Sequence, residues 1–245
     1  MMTIKEQNFR EFLKKINVQN SQHQDVLIEV LKSLNDGEEV SATLDQIIPQ
    51  YLVGIIREMY ADITPDKMAA ILHKLYPLKT STEIGQILLE NYPKLTRYEM
   101  QKALNGAGFL SVDTQKTLNE LYPITVKSTL PWQATGVIVG SADSLQIVAL
   151  GKWGINNGPS GQCDADGIAS LVAKMYYTLP NKPEGALIGR IGDNPPYLAG
   201  NSSYAPKGQT GELHLCINDD LDGKYGLGLK DNVGELKIIA TIDLC

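Results

Sequence analysis

The chain has 245 residues, a length that suggests two domains, and its 43% hydrophobic and 20% charged residues are typical of a protein that buries a sizeable core. The formal net charge of −6 argues against nucleic acid or an anionic membrane surface as a partner, since either would attract a basic face. No window approaches the roughly 18 apolar residues of a membrane span, so no membrane insertion is expected.

The N-terminal residues 1–15 are polar and charged, without the apolar core of a signal peptide. We therefore expect synthesis in the cytoplasm, with release or export, if it occurs, by a non-classical route. Apolar residues within and beyond this stretch recur at helical spacing. They are Phe9, Phe12, Leu13 and Ile16, followed by Leu27, Val30, Leu31 and Leu34.

An internal repeat of sixteen residues follows. The same triplet of positions recurs in each unit. The triplets are Leu52, Ile56 and Tyr60; Met68, Leu72 and Tyr76; Ile84, Leu88 and Tyr92; Met100, Leu104 and Gly108; and, two residues short, Thr114, Leu118 and Tyr122. Tyr-Pro closes three of the units, where proline stops a helix. Threonines open three units, and two of them, Thr80 and Thr96, precede a glutamate at the spacing of a capping box.

Each unit predicts one helix of about ten residues, too short to be stable without neighbours. The sequence thus predicts an all-α domain of short-helix repeats over residues 1–125. Leu72 and Leu88 are expected to be buried, whereas substitution of Lys94 or Arg97 should be nearly silent. The repeats could bind a partner, assemble the chain into a homo-oligomer, or act as a compact spacer, and the sequence leaves these alternatives open.

After Pro123 glycines become frequent and apolar residues alternate with polar ones, which predicts antiparallel strands over residues 126–245. Leu213, Leu215 and Ile217 should point inward and Cys216 outward, and a second alternating run follows at residues 235–240. The predicted fold class is therefore multidomain α and β, with an all-α repeat domain before an all-β sandwich.

Residues that could carry catalysis are sparse. The three histidines, at positions 23, 73 and 214, form no recognised catalytic motif, and His214 should lie on a solvated strand face. Three widely spaced cysteines, Cys163, Cys216 and Cys245, predict reduced thiols rather than a zinc site. A Cys163 nucleophile is disfavoured, and we expect no enzyme activity.

The long loop between the last two predicted strands runs INDDLDGKYGLGLKDNVGE from Ile217 and gathers Asp219, Asp220, Asp222, Asp231 and Asn232. Calcium binds six to eight oxygens from carboxylates, amides and carbonyls, so this set fits a Ca²⁺ site. From the residues alone, a flexible acidic hairpin tip explains the loop equally well.

Several stretches, taken in order, resemble the bacterial galactophilic lectins, the LecA-like family. They are PWQATGVIV from Pro131, LQIVALGKW from Leu145, GALIGRIG from Gly185, and GELHLCINDD through KDNVGELKI, together covering residues 130–242. The resemblance implies a jelly-roll-like β-sandwich that binds a galactoside through a calcium ion. The helical half resembles no family that we identify.

By position, the resemblance implies that Asp219 binds Ca²⁺ through its carboxylate and that Asp231 and Asn232 occupy the family's pair of amide ligands. Backbone carbonyls near Asn157 and Gly228 would complete the shell. Because the ion's ligands would also surround the sugar, the resemblance implies that the same residues contact carbohydrate. They are Asp219, Asp231, Asn232 and Asn157.

This chain also departs from the family. The loop SGQCDADGIAS lacks the histidine of the galactose-specific members, and Asp164 or Asp166 could replace its contact with a sugar hydroxyl. An extension over residues 170–183 carries Tyr176 and Tyr177, which could form a wall of the site. The expected function is calcium-dependent binding of galactose-type or other neutral sugars. The alternatives are a metal-stabilised interaction scaffold and the targeting module of a toxin, in which the helical repeats carry the binding.

Overall fold

The computed structural model describes residues 49–243, so the helices predicted before residue 49 and the position of Cys245 lie outside the described part. Within it, helices come first and antiparallel β-sheets follow. The chain divides into two compact units, Met1–Thr117 and Leu118–Cys245. The boundary predicted after residue 125 stays a prediction. None of the helices in residues 49–243 has the length and apolar content needed to cross a bilayer.

Five short helices occupy the first part of the described chain. They are α1 (Pro49–Met59), α2 (Pro65–Leu75), α3 (Ser81–Asn91), α4 (Arg97–Gly106) and α5 (Ser111–Leu121). Residues at the first two positions of every repeated triplet are buried, including Leu72 and Leu88, which are 0% exposed. This burial is as the apolar periodicity predicts. That the helices form a repeat domain remains a prediction.

Local capping residues fix where these helices begin and end. Thr80 accepts a hydrogen bond from Glu83 N–H at 3.2 Å, and the Glu83 carboxylate accepts one from Thr80 N–H at 2.8 Å. The same capping box forms between Thr96 and Glu99, so both predictions are confirmed. Thr64 makes no such side-chain bond, and α2 begins with the first-turn proline predicted at Pro65.

Two details of the helical unit bear on the sequence predictions. Arg97 is 5% exposed, which contradicts the exposed position on which the expectation of a silent substitution depends. The tyrosines at the repeat ends pack as helix-end residues, as Tyr92 illustrates. Its hydroxyl donates to Ile63 O at 2.9 Å and its ring lies 4.5 Å from the Arg57 guanidinium.

In the described residues eleven strands follow the helices. They are β1 (Ile124–Lys127), β2 (Gln133–Val139), β3 (Ser144–Gly154), β4 (Gln162–Cys163), β5 (Ile168–Val172), β6 (Pro183–Glu184), β7 (Leu187–Ile191), β8 (Tyr197–Leu198), β9 (Ser202–Tyr204), β10 (Gly211–Ile217) and β11 (Val233–Asp243). The first large sheet has the order β1-β11-β3-β4, with β9 also paired to β3, and the second has the order β2-β10-β7-β8. Strands β5 and β6 form a separate ribbon.

The two large sheets share one hydrophobic core. Trp153 from the first sheet and Leu213 and Leu215 from the second are each 0% exposed within it. Alternation along β11 is as predicted, with Leu236, Ile238 and Ala240 buried. Cys216 is also 0% exposed, so the outward position predicted for it is wrong. Both faces of β10 are covered at that point, which an alternating pattern cannot reveal. The jelly-roll-like connection of the strands stays a prediction.

Candidate functional site

The compact unit Leu118–Cys245, which contains all the described strands, is called the β unit below. Strand register places the predicted site residues at one end of it. Gly154, the last residue of β3, pairs with Val233, the first of β11. In the other sheet Ile217, the last residue of β10, pairs with Leu187, the first of β7. Trp153 Nε1 donates to Gly185 O at 2.8 Å and so joins these ends of the two sheets. The loop after β3, the segment before β7 and the acidic loop 218–232 therefore emerge together.

Asp219 and Asn232 lie side by side at this end, although thirteen positions separate them in the sequence. Asn232 Nδ2 donates to Asp219 Oδ2 at 2.9 Å and to Ser128 O at 3.1 Å. Asp219 Oδ1 accepts the N–H of Asp220 at 2.6 Å. Asp219 is 5% and Asn232 4% exposed. The structure thus brings together two of the residues predicted to hold a cation.

One buried atom in this pair lacks a partner. Asn232 Oδ1 is buried and makes no hydrogen bond, although buried amide oxygens nearly always make one. Leaving such a group unsatisfied costs about 1–3 kcal/mol. Within residues 49–243 no three His, Cys, Asp or Glu side chains gather into a metal site, so a cation here would depend on amide and carbonyl oxygens as well. Calcium accepts such a mixed oxygen shell.

The electrostatics of Asp219 point in the same direction. Burial, above all, raises the pKa of the Asp219 carboxyl, and the negative charges of Asp231 and Asp220 raise it further. The hydrogen bonds from Asn232 and from Asp220 N–H oppose that rise. Among the described residues no lysine, arginine or histidine forms an ion pair with Asp219. A divalent cation would supply the missing positive charge.

A second carboxylate lies close enough to Asp219 to be affected by its charge. Burial is the main cause that raises the pKa of Glu184, and the charge of Asp219 adds to it. Glu184 Oε1 accepts a hydrogen bond from the Tyr177 hydroxyl at 2.9 Å, which opposes the rise. The sequence predicted that Tyr177 could form a wall of the site, but it did not predict Glu184. A single glutamate in a short strand belongs to no motif that would indicate a binding site.

Asn218, immediately before Asp219, fixes the extension to the site. Its Oδ1 accepts Leu179 N–H at 3.0 Å, and its Nδ2 donates to Leu179 O and Pro183 O at 3.0 and 3.1 Å. Asn218 is 0% exposed, and these bonds satisfy both ends of its amide. The extension over residues 170–183 is therefore tied to the acidic loop through the residue adjacent to the candidate ligand.

The remaining predicted ligands lie in the neighbouring loops. Asp231 directly precedes Asn232 and is partly buried, whereas Asn157 is exposed in the loop after β3. Gly228 has φ +55°, and a Cβ there would collide with Asp220 O and with Gly223, so the acidic loop closes tightly on itself at this point. The roles of these residues in binding an ion stay predictions.

Asp166 is exposed, and both of its carboxylate oxygens are engaged by one residue. Oδ1 accepts Asn201 N–H at 2.8 Å and Oδ2 accepts Asn201 Nδ2 at 2.6 Å. Asp164 in turn accepts Asp166 N–H at 2.9 Å. These bonds hold the loop in shape, and a sugar contact at Asp166 would have to share the carboxylate with Asn201. That contact stays a prediction.

The other reactive side chains of the β unit are placed where they cannot easily act. Cys163 and Cys216 are free thiols, and both are buried. Burial raises the pKa of Cys163 to about 11 and raises that of Cys216 as well. His214 is partly buried rather than fully solvated, with Nδ1 3.1 Å from Glu212 O. A thiolate nucleophile is disfavoured at neutral pH.

Comparison with solved structures gives a distant likeness to a lectin domain. A solved structure described as "EclA N-terminal domain; PllA-like lectin" is 22% identical, with a TM-score of 0.38, over 50% of this chain and 96% of that chain. No family model matches the chain, and no curated protein matches it. A likeness at this level leaves the function to be inferred from the site itself.

Proposed function

We propose that the β unit is a calcium-dependent carbohydrate-binding module that binds sugar without turnover. In this proposal Asp219 and Asn232 bind the ion through side-chain oxygens, with Asp231 and carbonyls of the neighbouring loops completing the shell. The observation that carries the proposal is the pairing of a buried carboxylate with a buried amide oxygen that has no partner. A cation is the ligand that satisfies both atoms at once.

The donor set favours calcium over other biological cations. All the candidate ligands are oxygens, whereas zinc and copper sites in proteins depend mainly on histidine and cysteine. Magnesium demands a nearly regular octahedron and usually retains several waters, which suits a small carboxylate site better than a loop rich in carbonyls. An irregular shell of amide, carboxylate and carbonyl oxygens is typical of Ca²⁺.

The ion supplies the anchor for the sugar in this proposal. Calcium takes more ligands than Asp219, Asp231 and Asn232 provide, so neighbouring hydroxyls of a sugar can occupy open positions. A neutral sugar suits the site because the adjacent Glu184 and Asp220 carboxylates would repel an anionic one. The contact with one monosaccharide is small, so affinity should be modest, and several copies presented together would add avidity.

The test is calorimetry of the full chain, titrated first with CaCl₂ and then with methyl β-galactoside and other methyl glycosides. Asp219→Asn keeps the side-chain shape but removes the charge, and it should abolish calcium and sugar binding together. Asp193→Asn is the matched control, because Asp193 is exposed in the turn after β7, at the other end of that strand. It should leave both titrations unchanged.

Two results would contradict the proposal in different ways. Sugar binding that persists in excess chelator would exclude the ion as the anchor. Calcium binding without a response to any glycoside would leave a structural metal site and favour the alternative of an interaction scaffold.

A further inference from the structure

Two tyrosines form an exposed aromatic pair beside the candidate site. The rings of Tyr176, in the extension, and Tyr225, in the acidic loop, have centroids 3.7 Å apart and planes inclined by 31°. Tyr176 is 38% and Tyr225 54% exposed. The two rings are therefore stacked on each other, while part of each tyrosine remains exposed to solvent.

Both tyrosines are connected to residues that border the candidate calcium site. Tyr225 N–H donates to Asp220 Oδ2 at 2.7 Å, one residue from Asp219. Tyr176 precedes Tyr177, whose ring centroid is 5.3 Å away and whose hydroxyl is bonded to Glu184. The pair is thus linked on one side to Asp220, the residue after Asp219, and on the other to Glu184, whose pKa the charge of Asp219 raises.

The chain near this pair exposes two further large apolar side chains. Met175 is 77% exposed and Leu227 62% exposed, and they are close in sequence to Tyr176 and Tyr225 respectively. Grouped exposed apolar side chains on a soluble protein usually mark a binding surface. The group is small, whereas a stable protein–protein interface buries about 1,200–2,000 Å² in total, so a compact ligand suits it better than a protein partner.

Charged groups beside the rings add hydrogen-bond donors. The Lys174 ammonium lies 5.9 Å from the Tyr176 ring centroid and that of Lys224 lies 5.3 Å from the Tyr225 centroid. Each is attracted to the ring but sits at the outer limit of a cation–π contact. A pyranose offers C–H groups to a ring face and hydroxyls at its rim, so it matches an aromatic surface bordered by ammonium donors.

We propose that the Tyr176–Tyr225 pair is a second carbohydrate subsite, which receives the sugar residue linked to the calcium-bound one. The preferred ligand is then a disaccharide or longer glycan rather than a monosaccharide. This inference rests on the function proposed above. It assigns a role to the extension over residues 170–183, which carries Tyr176 and is bonded to Asn218 beside the candidate ligand.

The test compares methyl β-galactoside, lactose and phenyl β-galactoside by calorimetry of the full chain in saturating CaCl₂. Tyr176→Ala and Tyr225→Ala should each weaken lactose binding roughly 3- to 10-fold, the value of one aromatic contact. Binding of calcium and of methyl β-galactoside should not change. Tyr204→Ala is the control, since Tyr204 is 63% exposed on β9, which pairs with the opposite end of β3.

Variants at Tyr225 could disturb the loop, so Tyr225→Leu and Tyr225→Phe provide a second comparison. Leucine keeps apolar bulk without a ring, so this variant should lose the gain in affinity of lactose over methyl β-galactoside. Phenylalanine keeps the ring and should keep that gain. Unchanged lactose affinity in the alanine variants, with calcium-dependent methyl galactoside binding intact, overturns the subsite alone. If phenyl β-galactoside binds more tightly than methyl β-galactoside but lactose does not, the assignment of a second sugar is overturned. If the wild type in saturating CaCl₂ binds none of these three glycosides and no other methyl glycoside, both proposals are overturned.

Discussion

Replacing Asn232 with alanine should cost the β unit much more stability in calcium than in chelator. The side chain donates two hydrogen bonds, to the Asp219 carboxylate and to Ser128 O, while its own Oδ1 has no partner. In chelator the variant loses both bonds but is also relieved of a buried unsatisfied oxygen. In the proposed site calcium would change this balance, because the oxygen would then contribute a favourable contact to the ion.

The magnitudes follow from those contacts. A hydrogen bond to a charged group contributes about 1.5–3 kcal/mol and a neutral one about 0.5–1.5 kcal/mol, while the relieved oxygen returns about 1–3 kcal/mol. The net cost in chelator is then about 1 kcal/mol. Calcium at 100 times its dissociation constant stabilises the wild type by about 2.7 kcal/mol. If Asn232→Ala no longer binds the ion, its cost in calcium should reach about 4 kcal/mol.

The assay is urea denaturation followed by tryptophan fluorescence, at one pH, in excess chelator and in calcium. Both tryptophans of the chain, Trp132 and Trp153, lie in the β unit, so the signal reports that unit alone. Asn194→Ala is the matched control, since Asn194 Nδ2 donates to Ile191 O at 2.7 Å at the far end of β7. Its cost should be the same in both conditions. Equal costs for Asn232→Ala in calcium and in chelator would refute the reasoning.

Three further predictions concern single side chains. Thr80→Ala should destabilise the helical unit by about 1 kcal/mol through loss of the cap, whereas Thr64→Ala, which removes no cap bond, should have little effect by urea denaturation followed by circular dichroism. Hydrogen bonds, first of all from Thr80 N–H, lower the pKa of Glu83 in the same capping box. The stability that the Glu83 carboxylate contributes is therefore complete above the ordinary pKa of a glutamate, and it is lost as pH falls through the lowered pKa. Leu88→Ala should cost about 2–5 kcal/mol in the same assay because the leucine is 0% exposed, and Leu78→Ala, at a position 97% exposed, should cost almost nothing. Cys163, with a pKa of about 11, should resist iodoacetamide at pH 8 in the native protein and react in urea, as peptide mass spectrometry can measure.

Features set by neighbouring residues were predictable from the sequence. The capping boxes at Thr80 and Thr96 depend on residues three positions apart, and the buried helix positions follow from the sixteen-residue spacing. The burial of Leu236 and Ile238 likewise follows from alternation along one strand. In each case the interaction that decides the structure lies within a few residues of the signal.

Features set by distant residues were not predictable. Cys216 has the position of an outward residue in an alternating strand, but it is buried because the second face of β10 is covered there as well. Arg97 follows a helix cap, where an exposed charge is the usual case, and it is nevertheless buried. The acidic loop suggested Asp219 and Asn232 as neighbours, yet their bond and the bond of Asn232 to Ser128 join positions 13 and 104 residues apart.

Three consecutive polar residues, Asn218, Asp219 and Asp220, are each at most 7% exposed, and this burial is costly unless every polar atom is satisfied. Asn218 is satisfied by the extension, and Asp220 Oδ2 accepts the N–H of Tyr225, which turns the acidic loop. The middle residue receives hydrogen bonds but no counter-charge from the described residues, and the amide beside it leaves one oxygen unpartnered. The bonds of Asn218 and Asp220 hold the backbone on either side of Asp219 in place. The free-energy cost of burying the charge of the Asp219 carboxylate therefore arises at this one residue. A bound cation would offset that cost where it arises, and for this reason our proposal assigns the ion to Asp219 rather than to the more exposed Asp222.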